Sequence, residues 1–225
     1  MKTTAQRWYI KFLQWKTQYL THRQFILLLC VLVGVATGFA ALAMRSLTHF
    51  IEEVLVGNII RYINYGFYVV FPAVGFLLVY LVKKYVIRND VSHGIPSILY
   101  AVAKQKGIMK RFQAYGSLLT APITIGFGGS VGLEGPMVVT GAGISSYVAR
   151  LFHINQSDRM LLLACACAAA LAAIFKVPLA GILFAIEVFG LDLTLSSLLP
   201  LFIASLSGVL TSYMFFGNAA LLPIQ

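Results

Sequence analysis

The sequence predicts an all-α integral membrane protein. Of its 225 residues, 60% are hydrophobic and only 11% are charged. That leaves too few polar side chains to cover a soluble domain of this length, and the mean hydropathy is +0.87. Three runs, from Phe25 to Met44, Tyr62 to Val82 and Leu193 to Phe216, hold no charge. Each reaches the ~20 residues that cross hydrocarbon as a helix. No segment shows the period-two alternation of a transmembrane barrel strand.

The first 23 residues interleave Lys2, Arg7, Lys11, Lys16 and Arg23 with Trp8, Tyr9, Phe12, Trp15 and Tyr19. Basic residues beside Trp and Tyr suit a helix lying in the membrane interface; a disordered basic tail is the other reading. The apolar run that follows is longer than a signal-peptide core, so the segment reads as retained. The expected organisation is therefore a cytoplasmic interfacial segment over 1–23 and a transmembrane domain over 24–225.

Two long helices are expected next, at 24–50 and 65–87. The segment 94–105 differs. Gly94-Ile95-Pro96 opens it and basic residues close it, and twelve helical residues rise only ~18 Å, too little to cross. Helices follow at 112–127, 135–152, 157–174, 178–190 and 193–216. They are broken by Pro122, the glycines from Gly126 to Gly135, Pro136, Pro178 and Gly190.

The net charge is +10. In a soluble chain that would suggest nucleic acid. In this one it reports topology, because cytoplasmic loops collect Lys and Arg. The basic residues cluster in the first 23 positions and from Lys83 to Arg111. Two spans separate the clusters, so both face one side, placed in the cytoplasm. The expected location is the cell membrane, multi-pass, with lipid and not nucleic acid as the surrounding partner.

Several chemistries find no support. Cys30, Cys165 and Cys167 lie in apolar runs and read as small buried hydrophobes, with no His or acid nearby to complete a metal site. His22, Ser145, Ser146 and His153 have no partner pattern, and there is no nucleotide loop. The chain reads as a non-enzyme without a cofactor.

The breaks carry the functional signal. Open backbone at membrane depth survives only where protein or a wet cavity satisfies it. The N-terminus of a half-helix there offers free N–H donors and a positive dipole end, which suit an anion. Gly132-Leu133-Glu134-Gly135-Pro136 reads as a loop entering a helix, with Pro136 at its first position. Glu134 would sit at the positive helix end, an anion tethered where a free one could bind. An acid at membrane depth is a functional candidate; a capping glutamate without a transport role is the alternative. Ser92-His93-Gly94-Ile95-Pro96 forms a second such loop. Phe175-Lys176-Val177-Pro178 forms a third, ahead of a helix bearing Glu187.

Those three stretches resemble the signatures G-S-G-I-P, G-[KR]-E-G-P and P-L-A-G-x-L-F-x-x-E of the CLC family of chloride channels and chloride/proton antiporters. The likeness runs from about residue 20 to the end and is densest over Pro178–Glu187. It implies one repeat of an inverted-repeat transporter fold with short, broken and tilted helices. It implies that Glu134 is the gating glutamate competing with chloride. It also implies that backbone and loop groups at Ser92, His93, Gly94, Ile95 and Pro96, and at Gly132, Leu133, Glu134, Gly135 and Pro136, flank the anion. Chloride would be the permeant ligand. A homodimer through 178–190 and 193–216 is expected on the same ground.

Four departures qualify the resemblance. His93 replaces the usual serine, a feature of some bacterial members, so a hydroxyl no longer coordinates there. Leu133 replaces the basic residue. Val188 stands where antiporters carry a proton-transferring acid, with Glu187 the neighbouring acid. The second-half G-x-F-x-P signature and the closing tyrosine are absent, so the chain corresponds to the N-terminal half of a unit, and the C-terminal half is a partner still to be found. Val188 favours channel-like transport, gated by voltage or pH, over proton coupling. The alternatives are chloride/proton or fluoride/proton antiport, or a non-conducting half that pairs with another chain.

Overall fold

The computed structural model describes residues 21–55, 71–88 and 94–216. Most of the expected interfacial segment, and Ser92 and His93, lie outside them. The described residues are helical without a strand. Helix α1 spans His22–Glu53. Helix α2 spans Phe71–Val82 and continues as a π-helical turn over Lys83–Ile87, which Arg88 closes in the left-handed region at φ 55°. Then come α3 (Ile95–Lys104), α4 (Arg111–Gly126), α5 (Glu134–Leu151), α6 (Gln156–Phe175), α7 (Pro178–Phe189) and α8 (Leu195–Phe216). Each expected helix is present within a few residues, except that α2 is described only from Phe71.

Local chemistry sets the ends. At the start of α1 the Thr21 N–H donates to Gln24 Oε1 at 3.1 Å. Asn155 caps α6, its Oδ1 accepting from the Asp158 N–H at 2.8 Å, which satisfies an otherwise orphaned donor. Lys176 ends α6 in the left-handed region at φ 59°. Pro178 opens α7 and Gly190 closes it at φ 58°, the usual asymmetry of helix ends.

Among the described residues, α1, α6 and α8 are long and apolar enough to cross a membrane. Helix α6 is missing from the charge-free runs of the sequence because Asp158 and Arg159 interrupt its first turn. It is nonetheless the centre of the molecule. Leu162 to Ile174 are buried on every side, and a helix apolar all round is a core helix. Its alanines and cysteines let neighbours approach closely, the way helices associate where no hydrophobic effect separates them from lipid. Cys30 Sγ of α1 lies 3.7 Å from Cys165 Sγ, so these cysteines are packing residues as expected.

The glycine contacts fix direction. A methyl at Gly38 would lie 2.9 Å from the Gly208 carbonyl, and Gly34 faces Ala204 and Ser207. Matching rows rise together, so α1 and α8 are parallel. Helix α6 runs the same way, with its start tied to that of α1 by His22 Nε2 and Asp158 Oδ2 at 2.9 Å. Helix α5 runs against them, its Val138 carbonyl beside Cys167 and its Gly143 beside Ala114 of α4.

This topology sorts the charge. The ends of α2, α3 and α5 and the starts of α4 and α6 share one end of the bundle, bringing Lys83, Lys84, Lys104, Arg111, Arg150 and Arg159 together there. Among the described residues, the acids at that end are Asp158, Glu187 and Asp192. Toward the opposite end lie Glu52, Glu53, Arg45 and Lys176.

Candidate functional site

Two helices reach into the bundle by their N-termini. Helix α3 has ten residues, about 15 Å of rise, and its far end is anchored at the basic end, where the Lys106 carbonyl accepts from Arg159 Nη1 at 3.2 Å. Its near end therefore stops partway along the bundle. Gly94 sits there as the N-cap with φ 82°, a conformation that side-chain-bearing residues rarely adopt. Ser97 donates to the Gly94 carbonyl through its Oγ at 2.8 Å and its N–H at 3.2 Å, closing the turn.

The second N-terminus belongs to α5. Gly126, at the end of α4, packs on Thr48 and Ile51 of α1. Leu133, at the start of α5, instead lines a small cavity with Ala41, Leu42, Met44 and Arg45 of α1 and Ala173 and Ile174 of α6. Those α1 positions lie several residues earlier. The loop between α4 and α5 thus turns back into the bundle by on the order of 10 Å before α5 begins. This is the re-entrant break that the glycine-rich sequence announces.

The two N-termini meet. A methyl built on Gly135 would come within 3.7 Å of the Gly94 Cα. The positive ends of α3 and α5 therefore converge on one spot. Glu134 is the first residue of α5, a shift from the expected start near Pro136, which instead occupies the third helical position. Proline fits anywhere in a first turn, because its missing N–H would have no helical partner. The N–H groups of Leu133, Glu134 and Gly135 donate no hydrogen bond among the described residues. The first turn closes only with Met137 N–H to the Leu133 carbonyl at 3.0 Å. The Glu134 carboxylate folds back over Gly132, so that a side chain at Gly132 would overlap it. Glu134 itself is exposed.

That overlap gives a first prediction. Gly132→Ala should push the Glu134 carboxylate out of its position while keeping its charge. The expected result is a partial version of whatever Glu134→Gln does, read as a shift in the pH dependence of chloride efflux from liposomes. A profile identical to wild type would show that the carboxylate is indifferent to Gly132.

The structure also supplies a cation that the sequence reading missed. Leu133 replaces the basic residue of the signature, but Arg45 lines the cavity beside Leu133. Lys176 stands close by, between α6 and α7, with Nζ 4.7 Å from the Tyr213 ring centre. Burial, and then the neighbouring Arg45 charge, hold its ammonium below the usual lysine range. No short motif could reveal this, since Arg45, Leu133 and Lys176 come from three separate parts of the chain.

Glu187 and Val188 are elsewhere. Helix α7 packs on α6 with Gly181 against Ala168 and Ala172 and then runs toward the basic end. Leu133 is level with Ala173 and Ile174 of α6. Glu187 therefore lies about 15 Å further along the bundle axis. Glu187 is exposed and Val188 half-buried. Pro96 and Ile95 open α3 at the meeting point. No group of His, Cys, Asp or Glu among the described residues could hold a metal.

Comparisons with known proteins agree with this architecture. The family model described as voltage gated chloride channel matches residues 74–225. A relative named H(+)/Cl(−) exchange transporter ClcA, from Citrobacter koseri, is 32% identical over 171 residues, 72% of this chain and 36% of that protein. A putative chloride channel protein ClcB-like, from Ralstonia nicotianae, is 25% identical over 199 residues, covering 84% of this chain and 46% of the relative. Two solved structures share the fold. One is a eukaryotic CLC transporter, with a TM-score of 0.70 at 23% identity over 84% of this chain and 38% of that one. The other is a slow cyanobacterial Cl−/H+ antiporter, with a TM-score of 0.70 at 21% identity over 92% and 50%. The chain spans between about a third and a half of the curated relatives it matches.

Proposed function

Since the chain belongs to the voltage gated chloride channel family, we propose that it forms one repeat of a membrane transporter that exchanges chloride for protons. The observation that carries this reading is the convergence of the α3 and α5 N-termini beside Glu134. Free N–H donors and two positive dipole ends stabilise an anion. The Glu134 carboxylate competes for that position when ionised and leaves it when protonated. The groups from Gly94 to Pro96 and from Gly132 to Pro136 flank the anion; Ser92 and His93, which complete the first signature, lie outside the described residues. Chloride is the permeant ligand and no cofactor takes part.

The relatives named as exchangers support proton coupling over the channel-like transport suggested by Val188. With valine at that position, Glu187 is the acid on α7 available to pass protons from the basic end. A complete pore would take a second repeat, and the exposed apolar faces of α7 and α8, including Leu179, Leu183, Leu199 and Phe202, suit a homodimer. The charge sorting favours a cytoplasmic basic end.

The test is coupling in the complete two-repeat protein. An outward chloride gradient across liposomes, at equal pH on both sides, should drive protons inward and make the outside medium more alkaline. Glu187→Gln should stop the proton movement and spare chloride efflux. Chloride efflux with no proton movement in the wild type would establish the channel-like reading carried by Val188.

A further inference from the structure

An arginine-lined cleft lies at the basic end, away from Glu134. A cleft of about 310 Å³ opens between the start of α4 and the end of α5, lined by Arg111, Tyr147, Arg150, Leu151 and His153. Its two arginines are held in different ways. The Arg111 guanidinium carbon sits 5.3 Å from the Tyr147 ring centre, an arrangement that fixes a cation over an aromatic face. Arg150 is half-buried, and its Nε donates to the Ser146 carbonyl at 3.3 Å. Its Nη2 is buried with no hydrogen-bond partner among the described residues. Leaving a buried donor unmade is costly.

The neighbours sharpen the contrast. Arg159, at the same end, has both terminal nitrogens on backbone, Nη1 on the Lys106 carbonyl at 3.2 Å and Nη2 on the Ile154 carbonyl at 2.9 Å, with only its buried Nε unpartnered among the described residues, whereas in Arg150 it is a terminal nitrogen that lacks a partner. Asp158 is paired with His22, and none of the acids at this end lines the cleft. Tyr147 and Leu151 are exposed and offer an apolar wall beside the two charges. Helix α6, long and apolar enough to cross a membrane, begins just beyond, and the start of such a helix is where headgroups would give way to acyl chains.

We propose that this cleft binds the phosphate of an anionic phospholipid, with Arg111 and Arg150 on the phosphate oxygens and Tyr147 and Leu151 against the glycerol and upper chain. Guanidinium donors match phosphate oxygens in geometry as well as charge. Tyrosine suits the headgroup level, and basic pockets between membrane helices recognise acidic headgroups. Free inorganic phosphate shares the charge but would gain nothing from the apolar wall.

Native mass spectrometry of the detergent-solubilised chain, with equal phosphatidylglycerol and phosphatidylcholine, tests this. The wild type should retain phosphatidylglycerol preferentially. Arg111→Gln and Arg150→Gln should each reduce that preference roughly fivefold. Arg111 is exposed, so its substitution leaves the fold intact even if Arg150→Gln disturbs α5. Lys83→Gln, at the same end outside the cleft, should change little. Equal retention of the two lipids, a preference that survives Arg111→Gln, or full displacement of phosphatidylglycerol by inorganic phosphate would each overturn the assignment.

Discussion

Glu134→Gln is expected to abolish the pH dependence of chloride efflux in the complete two-repeat protein while leaving the flux intact or higher. Glutamine keeps the size of the side chain and removes its charge, as protonation does. The carboxylate folds over Gly132 beside the converging ends of α3 and α5, and in the proposed gating role its charge would exclude a free anion there. Removing that charge leaves the donors to chloride at every pH. If Glu134 were only an acid in the first turn of α5, the change would cost ~0.3–1 kcal/mol of stability and leave the profile unchanged. Efflux from liposomes at about pH 4.5 and about pH 7.5, near and well above the ordinary glutamate value of about 4.3, separates the two. A flux that still varies with pH in the variant ends the gating role.

The largest effect on folding is expected from Gly181→Leu. A side chain at this position would run into the Ala168 carbonyl of α6, with Ala172 close behind. Backbone cannot yield as a flexible side chain can, so α7 would have to move off α6. Overpacking typically costs ~1–3 kcal/mol, and here it strikes the helix that every other long element uses as its support. The expected result is loss of the monodisperse peak in detergent chromatography. Leu183→Ala, on the exposed outer face of α7, should leave that peak in place. A monodisperse Gly181→Leu protein would show that the two helices can separate freely.

Composition made the membrane class legible, and glycine and proline made the breaks legible. Gly94-Ile95-Pro96 and Gly132 to Pro136 mark helix starts because few residues tolerate those backbone positions. Helix α6 was harder to read as a span. Its small residues dilute the hydropathy signal, and Asp158 and Arg159 cut the charge-free run, although both lie in its first turn. The exact start of α5 was also ambiguous, since a proline fits the first or the third position equally well. What no local pattern contains is proximity. That Gly94 meets Gly135, and that Arg45 lines the cavity beside Leu133, follows from how α1, α4, α5 and α6 pack. The substitution at Leu133 reads as a lost charge in one dimension and as a relocated one in three.

The part-way starts of α3 and α5 constrain how the chain is made. A membrane protein usually emerges from the ribosome as successive spans, each stable in lipid when released. Helix α3 is too short to be released this way, and α5 begins with bare N–H groups inside the bundle. Neither is stable against acyl chains alone. Helix α3 packs on α5, and α5 rests on α6, which is synthesised after both. The stretch from Gly94 to Leu151 must therefore stay sheltered at the insertion machinery until the Cys- and Ala-rich helix arrives, and biogenesis here becomes a late docking event instead of a linear threading.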